Sequence, residues 1–202
     1  PNNTHHQIVK KCLKLKVNVF CEKPLTSSYL DSKELFKLAK DNKVKLFVSD
    51  VYCYHDKSIN RLKRQNIVFR SKKVGSRDYE FLNRFMYHDI SILYKFLKKN
   101  KLKSLNFLQN KKLIEIKIIF QNKVEILFKY NLNASKKIHY INNINFFTEN
   151  DILNQMINRI LTNKVNIKIN NEKALFVVKF LNILKKKINN LTDLKIISEL
   201  LP

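Results

Sequence analysis

Residues Val17–Thr26 read V-N-V-F-C-E-K-P-L-T. A short apolar run rich in Val and Phe stops abruptly at Glu22-Lys23-Pro24, the pattern of a buried strand that ends in a charged pair and a proline. Such an ending suits a loop at the rim of a sheet, and open α/β sheets bind ligands outside the carboxyl ends of their strands. A lysine held there can act on a substrate, whereas a lysine in mid-strand could not.

The flanks extend this reading. Upstream, Pro1-Asn2-Asn3-Thr4-His5 leads into a segment whose apolar residues Ile8, Val9, Cys12 and Leu13 recur at helical spacing, with Asn3 or Thr4 as its cap. Downstream, Asp31 and Glu34 have the spacing of a capping box ahead of Leu35, Leu38 and Ala39. Val44–Val48 is a second short apolar strand. Strand and helix alternating through short links predict parallel βαβ units, about half of a doubly wound α/β domain, over residues 1–52.

Residues 53–202 read differently. A short helix is expected at Ile59–Gln65, a strand at Ile67–Ser71, and a long helix over Tyr79–Lys99 carrying Phe81, Phe85, His88, Ile92 and Phe96. Gly75, the single glycine of the chain, falls in a loop between them. Runs of β character follow at Leu102–Leu108, Leu113–Phe120, Val124–Tyr130, Lys137–Ile141 and Ile144–Phe147, with turn pairs such as Gln121-Asn122 suggesting antiparallel hairpins. Helical patterns at Asp151–Leu161, Glu172–Ile188 and from Thr192 close the chain. This is an α+β second domain with a largely antiparallel open sheet.

The formal net charge of +24 raises the question of a nucleic-acid partner. The basic residues are spread over nearly every segment, and no RNP, zinc-finger or helix-turn-helix signature is visible. Lys, Asn and Ile together make up 82 of the 202 residues. All three have codons rich in A and T, so base composition accounts for the charge as a solvated surface, and no nucleic-acid partner is expected. No run of 18 apolar residues appears, and no membrane association is expected. Three cysteines without CxxC spacing point to a reduced, cytoplasmic setting. The five histidines show no metal-ligand spacing.

The unit P-N-x-x-H, helix, strand, E-K-P-L, helix, strand resembles the second half of the nucleotide-binding domain of the Gfo/Idh/MocA oxidoreductases, the glucose–fructose oxidoreductase and inositol dehydrogenase family. Phe81–Leu97, F-L-N-R-F-M-Y-H-D-I-S-I-L-Y-K-F-L, looks like that family's second signature, a helix bearing His-Asp, and the order of later elements is also similar. The resemblance implies NAD- or NADP-dependent hydride transfer at a hydroxyl or carbonyl carbon of a sugar, sugar derivative or cyclitol. Pro1, Asn2, His5 and Glu22 would lie by the cofactor's ribose and nicotinamide. Pro24 would fix the loop, in the family often as a cis peptide. Lys23 would hydrogen-bond the reacting oxygen and stabilise a developing alkoxide. His88 would be the general base, since an imidazole titrates near working pH. A homo-oligomer formed through the open sheet is expected as well.

Two departures from the family pattern stand out. The family's glycine-rich fingerprint, which brings backbone close to a pyrophosphate, is impossible with one glycine. The simplest expectation is an N-terminally truncated fragment, inactive by itself; the alternative is a degenerate protein without cofactor. The family also has Asp four residues before the histidine, where this chain has Arg84. Positions four apart share a helix face, and a fixed cation there would weaken support for an imidazolium. Arg84 therefore either binds an anionic substrate group, faces solvent, or marks a non-catalytic scaffold of the same fold.

Overall fold

The computed structural model describes residues 4–54, 56–63, 68–74, 82–109, 113–131, 138–146 and 152–199. They form two compact units, each assembled from separated stretches: Pro1–Tyr54, Leu82–Tyr94 and Asp151–Asn182 in one, His55–Phe81, Lys95–Asn150 and Ile183–Pro202 in the other.

The first unit opens α1 (His5–Lys14), β1 (Val19–Cys21), α2 (Tyr29–Asp41) and β2 (Leu46–Val48). The strands are parallel, with Val19 opposite Leu46 and Cys21 opposite Val48. Both helices turn their apolar stripe inward. Val9 and Leu13 of α1 meet Leu35 and Ala39 of α2, with Leu25, Leu46 and Val48 completing the core. Each fully buried leucine contributes roughly 1.5–3 kcal/mol relative to exposure.

The helix ends differ from expectation in one respect. Thr4 is the N-cap of α1 but makes no side-chain cap hydrogen bond. Ser28, not Asp31, caps α2: its hydroxyl oxygen accepts the Asp31 N–H at 3.2 Å. Ser28 and Asp31 repeat that spacing three residues earlier, but the Ser28 N–H donates to Thr26 Oγ1 at 3.2 Å, and Glu34 is drawn to His6 and Lys10 of α1. At the other end, the N–H groups of Lys16 and Val17 return to the carbonyls of Leu13 and Cys12, and those of Lys43 and Val44 to Lys40 and Ala39. Lys16 and Lys43 have φ of 58° and 56°. These are Schellman closures in which lysine occupies the left-handed position that glycine usually fills.

Three later helices enter the same unit: α4 (Tyr87–Ile92), α6 (Ile152–Leu161) and the start of α7 (Ile167–Glu199). Ala174, Val177, Val178 and Leu181 of α7 are buried at helical spacing. Two asparagines flank that stripe. Asn170 accepts from the Val48 N–H and donates to the Val48 carbonyl, both at 3.0 Å, so its carboxamide pairs with β2 as a neighbouring strand would. Asn182 accepts from the Tyr29 N–H and donates to the Ser27 carbonyl, gripping the start of α2.

The second unit holds α3 (Asp56–Lys63) and a six-stranded sheet of β3 (Val68–Val74), β4 (Leu102–Gln109), β5 (Leu113–Phe120), β6 (Glu125–Asn131), β7 (Ile138–Ile141) and β8 (Ile144–Asn145). The order is β4-β5-β6-β3-β7-β8; β3 and β6 are parallel and every other pair antiparallel. Period-two alternation buries Ile114, Ile116, Ile118 and Phe120 of β5 and Ile126, Phe128 and Tyr130 of β6. The opposite face carries the pairs Glu115–Lys129 and Lys117–Glu125 at 2.7 and 2.9 Å. The α/β-plus-open-sheet class read from the sequence is the one observed.

Three expected elements are altered. The helix over Tyr79–Lys99 is a π-helical turn (Leu82–Met86), then α4, then α5 (Tyr94–Leu97). β3 continues past Ser71 to Val74, because β6 pairs with it along its whole length. The last two helical patterns are one continuous helix, α7. Gly75 lies outside the described residues.

Candidate active site at the rim of the parallel strands

The two parallel strands end together. The Ser49 N–H donates to the Cys21 carbonyl at 2.7 Å, carrying the pairing one step past β2, so Glu22-Lys23 and Asp50 leave the sheet at the same rim. Pro24, Leu25 and Thr26 are buried beneath the loop, and the Lys23–Pro24 peptide is cis. His5, in the first turn of α1, has its Nδ1 2.9 Å from the Pro24 carbonyl, to which an Nδ1–H donates. Thr26 donates its hydroxyl to the Ser28 carbonyl at 2.6 Å and lies 2.8 Å from the Ser32 hydroxyl. The loop is thus tied to both α1 and α2.

Lys23 is half-buried and its Nζ lies 5.7 Å from the centre of the Tyr87 ring. The next residue, His88, is 8% exposed and packs edge-on against Tyr52 at 4.4 Å and Tyr87 at 6.1 Å between ring centres. Its Nδ1 faces Asp50 Oδ1 at 3.6 Å. Asp50 is 2% exposed; its Oδ2 receives Lys173 Nζ of α7 at 3.0 Å and the Ser91 hydroxyl of α4. Asp89 is fully buried beside them. The residues assembled here offer a proton acceptor backed by a carboxylate, with an ammonium one aromatic ring away.

Glu22 is exposed at the rim. Pro1 and Asn2 lie outside the described residues. Arg84 has its backbone in the π-helical turn, and its side chain lies outside the described residues. Asp50, Tyr52 and Lys173 were not singled out from sequence. The available signal for Asp50 was its place: it follows the second apolar strand as Glu22 follows the first. Among the described residues no group of three or more His, Cys, Asp or Glu is arranged to hold a metal ion, and no described helix is long and apolar enough to cross a membrane.

Burial, with a smaller effect of Glu22, pushes the Cys21 thiol up to about 12, so this cysteine stays a protonated core residue at neutral pH. Burial also raises the Tyr52 phenol above its ordinary 10.0, helped by the charges of Asp89 and then Asp50. The raised folded value means that the linked stability is present below the unfolded phenol's value and is lost as pH rises through the folded one. Ultraviolet titration is expected to show one tyrosine ionising later than the others and missing in Tyr52→Phe. An unchanged titration in that variant would remove Tyr52 from the buried acidic cluster.

A parallel βαβ unit and a mixed open sheet are the two parts of the Rossmann-plus-sheet fold class. Residues 1–50 match the Gfo/Idh/MocA family model, described as oxidoreductase family, NAD-binding Rossmann fold. Two uncharacterized oxidoreductases of Schizosaccharomyces pombe are each 44% identical over 48 residues, a match spanning 24% of this chain and 13% of theirs. Solved structures extend the likeness of fold to nearly the whole chain. The WlbA (WbpB) dehydrogenase of Thermus thermophilus, in complex with NAD and UDP-GlcNAcA, superposes with a TM-score of 0.72 at 12% identity, over 91% of this chain and 69% of that one. UDP-N-acetylglucosamine 3-dehydrogenase GnnA of Acidithiobacillus ferrooxidans gives 0.71 at 11% identity, over 90% and 73%.

Proposed function

We propose that this chain supplies the nicotinamide-side and substrate-side residues of an NAD- or NADP-dependent oxidoreductase acting at a CH–OH or carbonyl carbon of a sugar, sugar derivative or cyclitol. The observation that carries the reading is the convergence at one rim: the half-buried Lys23 lies over Tyr87, and the neighbouring His88 meets Asp50 from the end of the adjacent strand. Lys23 donates a hydrogen bond to the reacting oxygen and stabilises negative charge as it develops there. His88 takes the hydroxyl proton in the oxidative direction and returns it in reduction.

The dinucleotide, when bound, supplies the hydride acceptor or donor. The donor set present fits its nicotinamide end: Glu22 is exposed at the rim, and His5 ties α1 to the loop through the Pro24 carbonyl. Pro1 and Asn2 would complete that side. No glycine stands at the turn after β1 or β2, so these residues do not themselves form a pyrophosphate cradle. In this reading residues 1–52 are part of an NAD(P)-binding domain, and residues 53–202 form a substrate and oligomerisation domain whose open sheet face meets a second copy. Substrates named for the structural neighbours, UDP-GlcNAcA and UDP-N-acetylglucosamine, support the sugar class.

Arg84 in place of an acid favours a second reading, a scaffold that keeps the fold without the chemistry. The test is turnover by the full-length gene product, with NAD, NADH, NADP and NADPH, over a panel of sugars, sugar nucleotides and cyclitols. Oxidation or reduction of at least one sugar class is expected. Tight dinucleotide binding without turnover on any of them would sink the enzyme reading in favour of the scaffold.

A further inference from the structure

We propose that Asp50 is the positioning residue of His88, holding the neutral imidazole in its Nδ1–H form so that Nε2 is left as the proton-accepting atom. The inference rests on the oxidoreductase reading for its functional meaning, but its geometry stands apart from it.

The two oxygens of Asp50 have different neighbours. Oδ2 receives the Lys173 ammonium at 3.0 Å and the Ser91 hydroxyl. Oδ1 faces His88 Nδ1 at 3.6 Å. One oxygen is anchored by donors from two helices, and the other is presented to the imidazole. A separation of 3.6 Å is an ion-pair distance, longer than a hydrogen bond. Hydrogen bonds of this kind are often long in the ligand-free state and tighten when substrate binds. The imidazole plane is already fixed by Tyr52 and Tyr87. Among the described residues, the other titratable groups around it include Asp89 on its own helix, the Tyr52 and Tyr87 phenols, Lys173 from α7, and Lys23 beyond the Tyr87 ring.

This arrangement answers the departure at Arg84. A carboxylate four residues earlier on the same helix would orient the histidine from within its own element. Here the carboxylate comes instead from the end of β2, and α7 holds it in place through Lys173. The sequence separation of 38 residues between Asp50 and His88 hides the pairing from any local motif.

The substitution Asp50→Asn gives a result of defined sign. Lys173 and Ser91 need an acceptor, so they retain the carboxamide oxygen and turn the amide NH₂ toward His88. A donor facing Nδ1 forces that nitrogen to accept, which moves the imidazole proton to Nε2 and blocks the base. Nitrogen-15 spectra of the 202-residue chain at a pH where His88 is neutral read the tautomer directly, with His88→Gln giving the assignment. The wild type is expected to be Nδ1–H and Asp50→Asn to be Nε2–H. In the full-length gene product, Asp50→Asn is expected to lower kcat by roughly 10²-fold with KM little changed, and to move the acidic limb of the rate profile to lower pH.

A purely structural role for Asp50 would leave the tautomer the same in both proteins, and that overturns the proposal. If Asp50→Asn does not fold, the wild-type spectrum decides alone, since an Nε2–H imidazole there is incompatible with it. Absence of turnover in the wild type would remove the enzyme reading, while the tautomer measured at His88 would still decide the role of Asp50.

Discussion

Replacing Lys23 with Met is expected to lower kcat in the full-length gene product by roughly 10²–10³-fold, the scale seen when one donor to a developing oxyanion is removed. Methionine keeps the length and apolar stem of lysine and deletes only the ammonium. Lys23 is half-buried, and its charge lies over the Tyr87 ring. The stability cost is therefore small, about 0.5–1 kcal/mol for a partly exposed cation over a ring. Steady-state kinetics beside thermal melts separates the two effects. Arg at this position is not expected to restore the rate, because a planar fork does not place a donor where a compact ammonium does. A loss confined to KM, or one that tracks a matching fall in melting temperature, would make Lys23 a binding or structural residue.

The largest stability effect is expected at Lys173. Its side chain is 14% exposed and meets Asp50, whose side chain is 2% exposed, at 3.0 Å. Lys173→Met takes the ammonium away from a carboxylate that stays buried beside Ser91 and His88. Removing one member of a buried pair costs roughly 3–5 kcal/mol, because the other charge is left uncompensated. The double variant Asp50→Asn with Lys173→Met removes the stranded charge and is expected to recover more than half of the loss, since replacing both partners is far milder than removing one. Urea unfolding of the four proteins gives the cycle directly, provided the dependence on denaturant keeps its slope. Independent, additive losses would show that the pair does not couple.

The strands and helices of the first 48 residues were legible because each is local: an apolar run, a helical stripe, a short link. The rim was legible for the same reason, since Glu22-Lys23-Pro24 interrupts an apolar run within three residues. What escaped were features made by distant residues. Ser28 and not Asp31 is the cap because α2 starts at Tyr29, and Glu34 finds its partners on another helix, α1. Asp50 read as an ordinary polar residue after a strand, since nothing near it in sequence shows that α4 and α7 close over it. Lys173, Asn170 and Asn182 were invisible for a compositional reason. In a chain with 34 Lys and 26 Asn, one more of either carries no contrast. The π-helical turn that leads into α4, and the interruption at Leu93, have no glycine or proline to announce them; such turns recur at functional sites, and this one immediately precedes Tyr87 and His88.

The grip of Asn170 on β2 and of Asn182 on α2 has a consequence for biogenesis. The opening βαβ segment leaves the ribosome long before the residues that complete it. Until about residue 170 has emerged, Val48 presents its peptide groups to solvent and to any passing extended chain. The nascent protein must therefore wait, with an adhesive border on β2, for a helix translated more than a hundred codons later.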